Sequence, residues 1–251
     1  MFDTHTHLDD QSYDLDRKQV IEKIFAQGIK YFISVGCDLN SSKKAIDFTN
    51  ENNNVFASCG IHPHNAKDVD IVTYQSLQEL AQKNKVVAIG EIGLDYTKLY
   101  SPKPLQKKVF QEQLKIAKKL NLPVIIHSRD AYQDIIEILD EENYYNAVIH
   151  CFSGDKQIYE YCLEKKMYVS FAGYITYKNF SAKEIIKNLN MNYLLVETDC
   201  PYLTPHPFRG KRNDPTYLKY IIETIATIKK MSFQEVEEIT TLNAKKIFNI
   251  L

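Results

Sequence analysis

Eight short apolar or β-branched runs recur along this chain and alternate with longer stretches of helical periodicity. Few folds accommodate that rhythm. The strand-like runs are Met1–Leu8, Tyr31–Cys37, Val55–Ile61, Val86–Ile92, Pro123–His127, Ala147–Phe152, Met167–Phe171 and Tyr193–Thr198. Between them, Val20, Ile21, Ile24 and Phe25 form one stripe in Asp14–Gly28, with Gly28 placed to end the helix. Leu105, Val109, Phe110, Leu114 and Ala117 do the same in Pro104–Leu120, as do Leu218, Ile221, Ile222 and Ile225 in Pro215–Lys230. Spacing of this kind lets a helix bury one face. A last helix is expected from Ser232, with Glu235 reaching back as its capping-box partner. Asn50–Asn54 reads as a helix end and loop.

Strands this apolar are buried on both faces, as in a parallel sheet covered by helices. Eight βα units without a break in composition predict an α/β fold, a single-domain (β/α)8 TIM barrel over residues 1–251. An open doubly wound sheet is the alternative. The length of 251 residues matches the roughly 250 that such a barrel takes.

Lys and Arg number 31 against 32 Asp and Glu, a formal net charge of −1. The molecule as a whole therefore does not attract nucleic acid, and any such contact must come from a local patch. The five cysteines, Cys37, Cys59, Cys151, Cys162 and Cys200, are odd in number and contain no C-x-x-C pair. That argues against a disulfide scaffold and fits a reducing cytoplasm. No signal peptide is visible at Met1–His5, and no apolar run reaches the length of a membrane span. A monomer without a membrane partner is the expectation.

Polar residues interrupt the apolar runs in a consistent place. His5 and His7 end the first run, and residues i and i+2 of a strand share a face. Glu91 lies inside the apolar Val86–Leu94 stretch, where a carboxylate is rare unless paired or metal-bound. His127 and His150 each follow three apolar residues, and Asp199 closes the last run. Taken singly, a core histidine or a salt bridge explains each. Together all fall at the same end of their strands, and in a barrel those ends converge on one site. Four His, one Glu and one Asp suffice for two divalent cations, with Glu91 the natural bridge. Such a pair activates a water and polarises a phosphoryl oxygen. Glu91 and Asp199 are thus the candidate catalytic carboxylates, with Asp199 able to accept a proton from the water.

The motifs Phe2-Asp3-Thr4-His5-Thr6-His7, Gly60-Ile61-His62-Pro63-His64, Gly90-Glu91-Ile92-Gly93-Leu94-Asp95-Tyr96, His127-Ser128-Arg129-Asp130-Ala131, His150-Cys151-Phe152-Ser153-Gly154 and Glu197-Thr198-Asp199-Cys200-Pro201-Tyr202-Leu203 run nearly from end to end. With Pro207–Asn213, Asn243-Ala244 and Phe248, they resemble the TatD-type metal-dependent deoxyribonucleases, a branch of the amidohydrolase-like barrels. The resemblance implies a TIM barrel hydrolysing phosphodiester bonds of DNA. It implies one metal on His5, His7, Glu91 and Asp199, and a second on Glu91, His127 and His150. Asp214, where the family usually carries Glu, is a small departure in a loop.

Substrate contacts are expected from Arg129 and Arg209, whose planar forks suit phosphate. Lys211 and Arg212 beside Arg209 serve equally as solvated surface charge. His62 and His64 are expected to touch substrate or to add a metal ligand, and Tyr96 and Phe152 are weaker candidates for base stacking. The leading expectation is a DNase dependent on two divalent ions (Mg, Mn or Zn) and acting exonucleolytically, 3′ to 5′, on single-stranded or frayed ends. A hydrolase of a small ester, lactone, amide or phosphoester is the alternative. A non-catalytic binding barrel comes last, because no ligand position is damaged.

Overall fold

The computed structural model describes residues 1–251. Its eight strands are β1 (Phe2–Thr6), β2 (Tyr31–Val35), β3 (Val55–Cys59), β4 (Val86–Asp95), β5 (Val124–Arg129), β6 (Ala147–Ile149), β7 (Tyr168–Phe171) and β8 (Leu194–Val196). Each pairs in parallel with the next, in the order β1 to β8. The ring closes through a parallel bridge between Thr6 and Cys200, with His7 N donating to Cys200 O at 2.8 Å and Asp199 N to His5 O at 3.0 Å. The fold is the (β/α)8 barrel expected of eight βα units.

The helices are α1 (Arg17–Ala26), α2 (Leu39–Glu51), α3 (Ile71–Ala81), α4 (Lys103–Leu120), α5 (Tyr132–Glu142), α6 (Lys156–Lys165), α7 (Lys183–Asn188), α8 (Leu218–Lys229) and α9 (Phe233–Ile247). The expected Ser232 capping box is present, with Glu235 N donating to Ser232 Oγ at 3.2 Å and Ser232 N to Glu235 Oε2 at 2.8 Å. Gly28 lies one residue beyond the α1 cap, at φ +84°. The start expected for α8 is instead a 3₁₀ turn over Pro215–Tyr217, which Asp214 caps through Thr216 N at 2.9 Å. Asp214 also pairs with Lys23 Nζ at 2.9 Å, so the shorter acid at this position joins α1 to the last loop. No helix is long and apolar enough to cross a membrane.

Two apolar clusters divide the core. The larger holds strand residues such as Phe32, Val124, Ile126, Ala147 and Ile149 together with the helix stripes. The smaller holds Ile33, Val35, Ile125, Val148 and Leu195 with Ala244, Ile247, Phe248 and Ile250. Alternation along a strand explains the split: every second residue faces the barrel axis. The end of helix α9 and the residues after it plug the N-terminal end of the barrel with those four apolar residues, anchored as Asn243 Nδ2 donates to Met191 O (2.6 Å) and Leu194 O (2.9 Å). The C-terminal end stays open.

The same parity places two site histidines. Ile125 and Val148 face the axis, so the next same-facing residues are His127 and His150. On β1 the register against β2 shifts between Asp3 and Thr6. That irregularity lets odd-numbered His5 and His7 face the axis although even-numbered Phe2 belongs to the inner cluster. Asp3 locks the seam, accepting from Thr198 N (2.9 Å) and Thr198 Oγ1 (2.6 Å).

Gly93 is required where β4 meets β5. Its φ is +132°, and an added Cβ would lie 2.1 Å from the His127 carbonyl oxygen. Gly93→Ala is therefore expected to destabilise the fold by about 1–3 kcal/mol. Urea unfolding checks this, and an unchanged midpoint would contradict the packing described.

Candidate metal centre

Six expected ligands converge toward the open end of the barrel: His5 on β1 and His7 just after it, Glu91 within β4, His127 on β5, and His150 and Asp199 just after β6 and β8. Glu91 is 4% exposed and sits at the centre. Its two oxygens face two different groups of imidazoles. Oε2 lies 3.5 Å from His5 Nε2 and 3.7 Å from His7 Nε2. Oε1 lies 2.8 Å from His127 Nδ1, 2.8 Å from His150 Nε2 and 3.5 Å from His62 Nε2. Asp199 joins the first group, its Oδ1 3.7 Å from His5 Nε2 and 3.5 Å from His7 Nε2. Its backbone occupies the left-handed region at φ +53°, which Asp tolerates better than most residues.

This donor set fits divalent cations. His5, His7 and Glu91 form one group whose ligand atoms lie within 4.8 Å of one another, and His62, Glu91 and His127 form another. His5, His150 and Asp199 form a third, which shares His5 with the first. Ring nitrogens also oppose one another, His5 Nε2 to His7 Nε2 at 3.1 Å and His127 Nδ1 to His150 Nε2 at 3.3 Å. Such a concentration of lone pairs is what a shared cation accommodates.

The far sides of three rings face a second partner, whereas His5 Nδ1 is buried without one. His7 Nδ1 lies 3.2 Å from the Val35 carbonyl. His127 Nε2 lies 3.3 Å from Asp95 Oδ2, and His150 Nδ1 lies 3.3 Å from Glu197 Oε1. Both carboxylates are themselves tied down. Glu197 accepts from Cys151 N at 2.6 Å, and Asp95 Oδ1 accepts from Thr97 N (2.9 Å) and Lys98 N (2.8 Å). A carboxylate or carbonyl behind an imidazole fixes its tautomer and aims the other nitrogen inward.

Proton affinities follow from burial and these contacts. Burial pushes His62 down to about 3, so it stands as a neutral donor. Burial also lowers His5. Burial would raise the Glu91 carboxyl, but the facing imidazoles, His150 first, and hydrogen bonds from His127 and His150 hold it well below the usual range. Burial works against charge on His150 too, yet Glu91 and Glu197 raise it well above an ordinary imidazole. Asp199, opposed by burial, is lowered by His7 and His5.

The centre opens into a cavity of about 1000 Å³ lined by His7, His62, His64, Glu91, His127, Arg129, His150 and Asp199, among others. His62 lies nearer the ligand group than a pure substrate contact requires, while His64 is turned away to Asp95 Oδ2 at 2.9 Å. Arg129 lines the cavity as expected.

Other expected contacts are displaced. Arg209 is exposed and does not line the cavity, because its guanidinium lies over the Tyr177 ring, 4.6 Å from the centroid. Arg212 is committed to Asp16 through two contacts of 2.8 and 2.6 Å. Lys211 lies over Phe208 at 5.6 Å. Phe152 is 1% exposed and belongs to the core. The Tyr96 hydroxyl donates to Asp134, and Lys103 covers its ring at 4.0 Å. Neither aromatic faces the cavity. In their place the cavity presents Lys98, Tyr100 and Tyr202. The loop positions of these three residues carry no periodic signal that would single them out.

Comparison with known proteins gives the same grouping. The sequence profile of the family described as "TatD related DNase" matches residues 2–249. The chain is 45% identical over 253 residues to "Uncharacterized metal-dependent hydrolase YabD" of Bacillus subtilis (strain 168), covering 100% of this chain and 99% of the relative. It is 30% identical over 259 residues to "3′-5′ ssDNA/RNA exonuclease TatD" of Salmonella typhimurium, covering 100% of both. The crystal structure of YJJV, a TatD homolog from Escherichia coli K12, superposes with a TM-score of 0.92 at 27% identity, covering 100% of this chain and 98% of that one. The chain belongs to the TatD-related DNase family.

Proposed function

We propose that this metal-dependent hydrolase cleaves phosphodiester bonds of single-stranded DNA from the 3′ end. In this reading His5, His7, Glu91 and Asp199 hold one divalent cation. Glu91, His127 and His150 hold a second, with His62 as an additional donor. The observation that carries it is the division of the Glu91 oxygens, one to each imidazole group. Bound divalent cations lower the pKa of a water and polarise phosphoryl oxygen.

The chain's own groups supply the rest. Asp199, held below the usual carboxylate range, is ionised near neutrality and accepts a proton from the attacking water. Its Oδ1 faces His5 and His7, so Oδ2 is the oxygen for that transfer. The water oxygen bonds to phosphorus, the P–O3′ bond breaks, and the departing O3′ takes a proton from solvent, to which Asp199 returns the one it accepted. Arg129 and Lys98 on the rim hold phosphate oxygens. A site sunk at a barrel mouth admits a strand end more readily than intact duplex. Five free cysteines support a reducing, cytoplasmic setting.

One observation favours a second reading. Asp9, Asp10, Asp38 and Asp130 also line the mouth, and they repel a polyanion more than a small phosphoester. End-labelled single- and double-stranded DNA, with Mg²⁺, Mn²⁺ or Zn²⁺ and with chelator, separates the readings. The expected result is a metal-dependent ladder from the 3′ end of single strands and none in chelator. Equal cleavage of closed circular duplex, or full activity in chelator, would overturn the proposal. Turnover of a small phosphoester alone would establish the second reading.

A further inference from the structure

The chain contains seventeen tyrosines and twelve phenylalanines and no tryptophan. Only two of these aromatic side chains are exposed, Tyr100 at 60% and Tyr202 at 54%. Both line the cavity that contains Glu91. A purely structural role would bury a ring, as it does Tyr13 and Phe152, and chance exposure would scatter such rings over the whole surface.

The fold sets the two opposite one another. Tyr100 stands in the loop between β4 and α4, and Tyr202 follows β8. In an eight-stranded ring β4 and β8 are four strands apart, on opposing walls. Each ring also leans on a histidine that lines the cavity. Tyr100 meets His64 edge to face, with centroids 4.8 Å apart at 89°, and Tyr202 meets His7 at 6.1 Å and 63°. The Tyr202 hydroxyl lies 3.4 Å from Asp10 Oδ2, and Tyr100 N donates to Lys98 O at 2.9 Å. The rings are therefore positioned against the site but left open to solvent. Lys98, two residues before Tyr100, lines the same mouth and can meet the phosphate attached to a base stacked there.

We propose that Tyr100 and Tyr202 form a two-walled stacking clamp for unpaired bases at the end of the substrate strand, and that they set the preference for unpaired over duplex ends. This rests on the nucleic-acid reading above. Aromatic faces stack bases with little sequence preference, and bases already stacked in a duplex offer no free face to either ring.

The test has two arms on the full-length protein. In the binding arm, single strands with phosphorothioate linkages and a terminal 2-aminopurine, placed at either end in separate strands, are titrated with metal present. Stacking quenches 2-aminopurine. Wild type is expected to quench it, Tyr100→Ala and Tyr202→Ala to lose the quench, and Tyr100→Phe and Tyr202→Phe to restore it. In the cleavage arm, each Ala variant is expected to lose about 5- to 100-fold in kcat/KM on single strands, mostly through KM. Strands ending in abasic residues should be cut equally by wild type and variants. Absence of quench with wild type, or equal losses on normal and abasic ends, would overturn the clamp. Quench without cleavage of any strand would leave the clamp standing and overturn the nuclease reading instead.

Discussion

Glu91→Gln is expected to lower kcat/KM on a phosphodiester by about 10³-fold and to cut bound divalent metal from two ions per chain to at most one. Gln matches Glu in shape but offers one neutral acceptor oxygen and an amide that donates. The amide nitrogen has no lone pair to offer a cation, and ring nitrogens lie 2.8 to 3.7 Å from both Glu91 oxygens, so the group facing the amide loses its carboxylate ligand. The fold should persist, since the backbone and the packing volume are unchanged. Thermal unfolding separates the effects. Ligand binding to the native state raises Tm by mass action, so added Mn²⁺ or Zn²⁺ should raise the wild-type Tm and leave the variant's nearly unmoved. A variant with full activity, or with two ions still bound, would remove Glu91 from the bridge.

Asp199→Asn should act differently. Asn keeps an oxygen that can coordinate a cation but cannot take up a proton. The expected loss is about 10²- to 10⁴-fold in kcat, the range for a missing general base, with metal half-saturation shifted much less. Single-turnover kinetics at saturating metal would show this. Equal losses in kcat and in metal affinity would make Asp199 a ligand and nothing more.

The strand rhythm made the barrel legible, and strand parity made His127 and His150 legible, since both extend the inward face begun by Ile125 and Val148. The Ser232 capping box was readable because it depends on residues three apart. The limits were physical as well. Strand β4 continues to Asp95, beyond the expected Ile92, because Gly93 permits a close approach to β5. Asp95 and Glu197 stand inside recognisable motifs, but their work behind His127 and His150 depends on contacts between separate strands. Arg209 resembled a phosphate ligand by charge and position, and the fold turns it onto Tyr177 instead. Tyr100 and Tyr202 differ from the other tyrosines only in exposure, which the sequence does not encode locally.

The central claim is that four imidazoles and two carboxylates gather two cations around Glu91. Crystals grown with Mn²⁺ or Zn²⁺ and measured at the metal absorption edge test it most directly. The account predicts two anomalous peaks roughly 3.5–4 Å apart, one beside Glu91 Oε2 and one beside Oε1. A single peak that does not touch Glu91, or none at saturating metal, would contradict it.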